Sequence, residues 1–337
     1  MESGRNEEQP PYGVIAKALR RGQVVPFLGA GVNLGMPPQP DASGKVLSTL
    51  DLGTPQPSSF SRLPSGLDLS LLLAKLAEFP SEEDQEVRDL SKVASYFVET
   101  SGRRNLLLEL HEVFNQEYKP CKIHEYLAGI DRPLLIVTTN YDDLTEKAFN
   151  AKGREFDLVV HPTDRKDLKA SVLWWKYGET EPIAEHPNSL PMAERLKTTT
   201  VIYKMHGTVI RPWHRRGGLI EDEDQPYRDD SYVITEEDYI TFLHRMTERV
   251  AVPMQFMTYF SSRQFLFLGY GLRDWNLRVV LKNLNSILNS TGPGESNDPN
   301  WAIQHGPSIL EKRLWERRGV RIYNQDIDKF VECLQRS

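Results

Sequence analysis

The segment Val24-Val25-Pro26-Phe27-Leu28-Gly29-Ala30-Gly31-Val32-Asn33 decides how this chain folds. Its first five residues form a short apolar run, which predicts a buried strand. The two glycines that follow would allow positive φ angles and a close approach between the backbone and a ligand. At the end of the first strand of a doubly wound sheet, such a turn holds a dinucleotide pyrophosphate. Gly-Ala-Gly is shorter than the full dinucleotide fingerprint, so an ordinary strand-to-loop turn remains an alternative.

Strands and helices alternate along the rest of the chain. Apolar, β-branched runs predict further strands at residues 134–139, 157–160, 198–205, 264–268 and 320–323. Helical spacing of apolar residues predicts helices at residues 12–21, 67–79, 81–100, 105–118, 144–150, 235–243, 250–262, 275–288 and 327–334. This alternation predicts an α/β fold, a Rossmann-like doubly wound parallel sheet with helices on both faces.

The chain is predicted to form a single domain, residues 1–337, with two insertions. The Rossmann core is predicted at residues 12–35, 121–160 and 198–337. Residues 36–120 begin with a proline-rich loop and continue as helices, so we expect a helical lid layer over the mouth of the sheet. Residues 161–197 are polar and are predicted to be an irregular insertion.

Composition excludes several classes of protein. The net charge of −6 argues against a sequence-specific nucleic-acid binder, which usually carries a basic excess. No apolar run reaches the roughly 20 residues that a membrane span needs. Residues 1–11 lack the pattern of a signal peptide, so we expect a cytoplasmic protein. The two cysteines, Cys121 and Cys333, exclude a four-cysteine zinc site within one chain, and no metal is expected.

Four of the predicted strands end in glycine-rich or polar turns. These turns are Gly29-Ala30-Gly31, Asn140-Tyr141-Asp142, His206-Gly207 and Gly269-Tyr270-Gly271. Parallel sheets bind ligands at the carboxyl ends of their strands, so the four turns are predicted to face one cleft.

The order of these motifs resembles the sirtuin superfamily, and most of all the bacterial sirtuin-like branch found in anti-phage defence. The resemblance spans roughly residues 12–290 and is carried by residues 29–31, 138–142, 204–207 and 267–274. The chain departs from deacetylating sirtuins in two ways. It lacks their zinc module, and it has Thr139-Asn140-Tyr141-Asp142 where they usually have Gln-Asn-Ile-Asp. Resemblance to the zinc-free branch implies an NAD+ glycohydrolase that depletes NAD+, with no bound metal.

Asn140 and His206 are predicted to be catalytic, and Asp142 is predicted to bind the substrate beside them. Asn140 would orient a water molecule or the ribose hydroxyls with its amide. His206 would accept a proton, since an ordinary histidine pKa lies near about 6.5. Asp142 would hydrogen-bond the nicotinamide amide or the ribose. Each residue also has a structural alternative: Asn140 as a helix cap, His206 as a core histidine and Asp142 as an acid in the first turn of a helix.

The remaining predicted site residues would bind the cofactor-like substrate. Backbone N–H groups of Gly29, Ala30 and Gly31 are expected to face the phosphates, and Asn33 follows in the same turn. Gly269 and Tyr270 are expected to border the adenosine side.

Two other functions remain open for the same pocket. They are an NAD-dependent protein deacylase and a non-catalytic nucleotide-binding or scaffold subunit. The resemblance also implies assembly into a homo-oligomer and a partner of the HerA-like hexameric ATPase class. No further sensor domain is expected in the remaining length of the chain.

Overall fold

A computed structural model describes residues 8–35, 62–80, 84–162, 168, 170–179, 181–209, 230–248, 250–270 and 300–337. Within these ranges the chain is built on a nine-stranded sheet and a separate two-stranded ribbon. The strands are β1 (Val24–Leu28), β2 (Leu135–Thr138), β3 (Phe156–Val160), β4 (Val172–Trp175), β5 (Ile183–Glu185), β6 (Thr200–Lys204), β7 (Gly207–Thr208), β8 (Ser231–Tyr232), β9 (Gln264–Leu268), β10 (Asn300–Gln304) and β11 (Val320–Asn324). Strands β7 and β8 form the ribbon.

The large sheet is mostly parallel, and its strand order is β11-β10-β9-β1-β2-β6-β3-β4-β5. All neighbouring strands from β11 to β3 run parallel, whereas β4 and β5 are antiparallel at one edge. Strand β1 lies between β9 and β2, so the chain builds the sheet outward from β1 in both directions. Ligands of doubly wound sheets bind at such a topological switch point. The predicted fold class is confirmed.

Helices cover both faces of the sheet. They are α1 (Tyr12–Arg20), α2 (Gly66–Leu76), α3 (Asp84–Val87), α4 (Leu90–Ser101), α5 (Arg103–Phe114), α6 (Lys122–Ala128), α7 (Leu144–Ala151), α8 (Met192–Thr198), α9 (Glu236–Thr247), α10 (Met254–Ser261), α11 (Ile309–Glu316) and α12 (Ile327–Gln335). Helices α1, α6, α7 and α12 contribute to the apolar core on one face. Helices α8 to α11 contribute to the core on the other face.

Strand β1 shows why the sheet is buried on both faces. Val24 and Leu28 belong to the first core, and Val25 and Phe27 to the second. All five residues of the strand are buried. Such a continuous apolar run is typical of a parallel strand that is covered by helices on both sides.

The predicted lid layer is present as helices α2, α4 and α5: α4 contacts both α2 and α5, and all three contribute to the first core. Helix α2 begins one residue earlier than predicted, because Ser65 and Asp68 form a capping box at its start. The helix predicted at 81–100 is divided into α3 and α4, since Asp89 caps a new helix with its side chain. The first three residues of this predicted helix, 81–83, lie outside the described residues.

The prediction of an irregular insertion at 161–197 is wrong. This segment contains β4, β5 and α8, and its two strands extend the central sheet. Strand β4 pairs with β3, and the indole Nε1 of Trp174 donates a hydrogen bond to Asp157 Oδ2 at 3.0 Å. The sequence signal was weak because both strands are short and polar residues flank them.

Strand β10 and helix α11 were also missed, although both contribute to the cores. The helix predicted at residues 275–288 lies outside the described residues. In the part of the chain that the structure describes, every helix is too short or too polar to cross a membrane.

Candidate active site

A cleft of about 220 Å³ lies at the carboxyl ends of the central strands. The turns after β1, β2, β6 and β9 form one side of it, and residues from the lid layer, such as Leu69 and Phe114, form the other. The predicted site residues that line this cleft are Ala30, Asn33, Asn140, Asp142, His206, Gly269 and Tyr270. The fold therefore brings together side chains from four separate turns, as their positions after parallel strands predicted.

Gly29 and Gly31 have a different role from the predicted one. Their N–H groups donate hydrogen bonds at 2.9 Å to the carbonyl oxygens of Leu268 and Gly269. A Cβ atom at position 31 would lie 2.6 Å from the Gly269 oxygen. These N–H groups are thus already used within the protein, and the prediction that they face phosphates is wrong. The glycines are required because the turns after β1 and β9 pack backbone against backbone.

The positive φ angle predicted for the turn after β1 occurs instead in the turn after β9, which packs against it. Gly269 has a φ of +71°, whereas neither Gly29 nor Gly31 has a positive φ. A Cβ atom at Gly269 would lie 2.2 Å from the nitrogen of Val32. Both close packing and backbone conformation therefore restrict position 269 to glycine.

Tyr270 lines the cleft next to these turns. Its hydroxyl donates a hydrogen bond to the carbonyl oxygen of Leu28 at 3.0 Å and lies 3.2 Å from Thr139 Oγ1. One side chain thus connects the ends of β1, β2 and β9.

Asn140 lies directly beyond β2 and is almost buried. Only 8% of its surface is exposed, and it lines the cleft. Its backbone nitrogen donates a hydrogen bond to Thr138 Oγ1 at 3.0 Å. The residue that holds the start of α7 is Asp142, whose Oδ1 accepts a hydrogen bond from the nitrogen of Leu144. The Asn140 side chain is therefore not the helix cap.

Asp142 and Asn33 form a hydrogen-bonded pair in the cleft. Asn33 Nδ2 donates to Asp142 Oδ2 at 2.9 Å. The other amide atom, Asn33 Oδ1, is buried and has no hydrogen-bond partner among the described residues. A buried acceptor without a partner is costly, so this oxygen is suited to accept a hydrogen bond from a bound ligand.

His206 lies beyond β6 and is held by aromatic side chains. Its ring packs edge-to-face against Tyr239 and Phe242, with ring centroids 5.5 and 5.2 Å away. The ring atom Nε2 is buried and has no hydrogen-bond partner among the described residues. Burial lowers the pKa of His206 to about 4, so the ordinary pKa assumed from the sequence is wrong. At neutral pH the imidazole is uncharged and can accept a proton.

The backbone conformation at position 207 explains why a glycine follows His206. Its φ angle is +86°, and a Cβ atom there would lie 2.0 Å from the carbonyl oxygen of Ser231. The chain must turn sharply at this point to enter β7, and the turn leaves His206 facing the cleft.

Sequence reasoning overlooked a buried ion pair next to these turns. Lys204 does not line the cleft and is fully buried, with Nζ 2.8 Å from Glu146 Oε1. The available signal was a lysine in an otherwise uncharged predicted strand. If such a strand is buried, the charge of the lysine requires a partner. Among the described residues, no cluster of three His, Cys, Asp or Glu side chains is arranged to hold a metal ion.

The arrangement combines a cleft at a switch point with an amide and a neutral imidazole. Asn140 follows β2 and His206 follows β6, and these strands are hydrogen-bonded neighbours. An amide can orient a hydroxyl or a water molecule, and a neutral imidazole can accept its proton. The cleft can therefore support the transfer of a proton from an oriented oxygen.

Proteins with similar sequences include NAD(+) hydrolases. One relative is the NAD(+) hydrolase ThsA of Cytobacillus dafuensis, which is 24% identical over 222 residues, 66% of this chain and 35% of the relative. The NAD(+) hydrolase ThsA of Acinetobacter baumannii is 28% identical over 199 residues, 58% of this chain and 31% of the relative. Defense-associated sirtuin 2 of Bacillus subtilis is 19% identical over 246 residues, 72% of this chain and 19% of the relative.

This chain spans about a third of the length of the two NAD(+) hydrolases. Residues 134–323 match the SIR2-like domain family, and this match includes Asn140, His206 and Tyr270. The resemblance inferred from the order of the turns is confirmed: the chain belongs to the SIR2-like domain family.

Proposed function

We propose that this protein is an NAD+ glycohydrolase that cleaves NAD+ into nicotinamide and ADP-ribose and depletes cytoplasmic NAD+ in anti-phage defence. The observation that carries the proposal is the placement of Asn140 and His206 in one cleft, at the ends of adjacent parallel strands. Family membership and relatives named as NAD(+) hydrolases support the choice of substrate.

The reaction needs few protein groups. The nicotinamide nitrogen of NAD+ carries a positive charge, so nicotinamide leaves as a neutral molecule when the C1′–N bond breaks towards nitrogen. The ribose then passes through an oxocarbenium-like state, as in other glycosidic cleavages. Asn140 orients the water molecule that attacks C1′, and neutral His206 accepts the proton that this water loses. Asp142 and Asn33 offer hydrogen-bond acceptors to the substrate from the same cleft.

The first test is turnover of NAD+ without any acylated peptide. Purified protein in its active assembly is expected to release nicotinamide, measured by liquid chromatography. Asn140→Ala and His206→Ala are each expected to lower kcat by about 10²–10⁴-fold, the usual cost of losing a general base or an orienting group. Circular dichroism checks that both variants remain folded.

Two exposed residues provide matched controls for these variants. Asn150→Ala and His244→Ala remove the same side-chain types from exposed positions outside the cleft and are expected to leave turnover unchanged. Release of nicotinamide only when an acyl-lysine peptide is added would indicate a deacylase. NAD+ binding without release by the assembled protein would indicate a non-catalytic subunit.

We also propose that the protein acts as a homo-oligomer and docks on a HerA-like hexameric ATPase, without binding a specific nucleic-acid sequence. This assembly proposal is supported by the likeness to the sirtuin-like defence branch. An NADase that is always active would exhaust the NAD+ of its own cell, which is the reason to expect control by assembly or by a partner.

A further inference from the structure

Lys204 occupies an unusual position for a lysine. It is the last residue of β6, and its side chain has no solvent exposure. It lies on the same face of the sheet as Ile202, which belongs to the first apolar core. An ammonium group buried in such surroundings is strongly unfavourable unless charged and polar partners surround it.

The partners of Lys204 belong to the two turns that carry Asn140 and His206. Its Nζ donates hydrogen bonds to the carbonyl oxygen of Asp142 and, at 2.8 Å, to Oγ1 of Thr208. Asp142 follows Asn140 by two residues, and Thr208 follows His206 by two residues. One ammonium group therefore connects both turns just beyond the residues assigned to catalysis.

Further hydrogen bonds join the two turns around this ammonium group. The nitrogen of Val209 donates to the carbonyl oxygen of Tyr141 at 3.0 Å. Thr208 Oγ1 lies 3.3 Å from the same carbonyl oxygen. Both turns therefore converge on Lys204, which lies outside the lining of the cleft itself.

Glu146 supplies the opposite charge. It lies in the first turn of α7, is fully buried, and places Oε1 2.8 Å from Lys204 Nζ. Burial raises the pKa of Glu146 to about 7, and the charge of Lys204 opposes this rise. Since α7 directly follows the turn of Asn140, the pair also holds the start of this helix against the end of β6.

We infer that Lys204, held by Glu146, is a positioning residue that sets the spacing between Asn140 and His206. The inference rests on the proposed function, because spacing matters only if both residues act on one substrate. Displacement of a catalytic group by about 1 Å can lower a rate by about 10²-fold. The ion pair thus acts on the reaction through the two turns, without contact with the substrate.

The test removes both charges together, because Lys204→Met alone would leave Glu146 buried without a partner. The double variant Lys204→Met/Glu146→Gln keeps similar side-chain volumes. We expect kcat for NAD+ to fall by about 10–100-fold and KM to change by less than about 3-fold, since the cleft lining is intact. Hydrogen-exchange mass spectrometry is expected to show faster exchange in residues 139–145 and 205–209.

The chain offers a matched control on the other face of the sheet. Arg195 and Asp157 form a second charge pair, in which the carboxylate is fully buried and the guanidinium is partly exposed, with two hydrogen bonds of 2.7 and 2.6 Å between β3 and α8. Arg195→Met/Asp157→Asn should lower the unfolding temperature to a similar degree but leave kcat unchanged. A general loss of stability would affect both double variants alike. A fall in kcat that occurs only in the Lys204 double variant is therefore due to displacement of Asn140 and His206.

If the Lys204 double variant does not fold, Thr208→Val decides the question, because it removes the polar partner of Lys204 in the turn of His206 while keeping the side-chain shape. A loss of about 3–10-fold in kcat at constant KM supports the inference. Wild-type kcat in the double variant or in Thr208→Val overturns it, as does unchanged exchange in the two turns. If the wild type releases no nicotinamide, the proposed function fails, and exchange alone then decides whether Lys204 holds the turns together.

Discussion

At the scale of single residues, the surroundings of His206 determine what its imidazole can do. Two aromatic rings and the end of β6 enclose the imidazole, and burial lowers its pKa to about 4. A low pKa makes a weaker base, but it keeps the base unprotonated throughout the physiological pH range. The sequence predicted the residue, whereas its neighbours decide its protonation state.

This protonation state predicts the pH dependence of the reaction. His206 must be neutral to accept a proton, so its own contribution to activity is lost only as the pH falls towards its pKa. In the Lys204→Met/Glu146→Gln variant, where Glu146 with its pKa of about 7 no longer titrates, we expect kcat/KM to stay nearly constant from about pH 5.5 to 8 and to fall below that range. A histidine with an ordinary pKa would instead halve kcat/KM near about pH 6.5. The measurement is kcat/KM against pH, with circular dichroism at each pH, and a midpoint near 6.5 contradicts the prediction.

At the scale of elements, the turns after β1 and β9 behave as one unit. They are hydrogen-bonded through Gly29 and Gly31, and Gly269 has the positive φ that permits their contact. This packing places Ala30 and Asn33 in the cleft lining. Glycine is therefore used here for contact between two protein segments.

This contact predicts that glycine substitutions act mainly on stability. Gly31→Val places a Cβ 2.6 Å from the Gly269 oxygen, and Gly269→Ala places one 2.2 Å from the Val32 nitrogen. Each is expected to lower the free energy of unfolding by about 2–4 kcal/mol, since backbone atoms must shift. Denaturant unfolding measures this loss.

Gly13 provides the control for these variants. It lies in α1, and a Cβ atom there would meet no heavy atom within 4 Å outside its own helix and chain neighbours. Gly13→Ala should therefore be neutral or stabilise the fold by up to about 1 kcal/mol. If Gly31→Val kept wild-type stability and lost only NAD+ affinity, the glycine would serve ligand approach, as the sequence first suggested.

At the scale of the whole molecule, helix α11 presents an apolar surface. Ile309, Leu310 and Leu314 are 68%, 67% and 42% exposed. Single exposed apolar residues are common, but several on one helix are typical of a contact surface. This surface agrees with the proposed homo-oligomer.

The oligomer prediction is tested by light scattering at micromolar concentration. The wild type is expected to exceed the mass of one chain, and Leu310→Glu to shift the population towards monomer because it places a charge in the contact. Ile240→Glu is the matched control, since Ile240 is 59% exposed on a different helix, α9. A wild type that is monomeric, or equal effects of both variants, contradicts the assignment.

Local signals in the sequence were sufficient to predict the fold class and the position of the candidate site. Buried parallel strands read as short apolar runs, and polar residues directly after them, such as Asn140 and His206, must face the carboxyl edge of the sheet. These signals are local, because each depends on a few consecutive residues. The two cysteines excluded a four-cysteine zinc site in the same direct way.

The way in which the site residues are held depends on tertiary contacts that the sequence does not reveal. Strand β4 owes its place to pairing with β3, the glycines of the first turn serve contact with Gly269, and burial sets the pKa of His206. The partnership of Lys204 with Glu146 likewise joins two separate elements. Each of these properties depends on partners that are distant along the chain, and their hydrogen bonds and desolvation exist only once the strands are brought side by side.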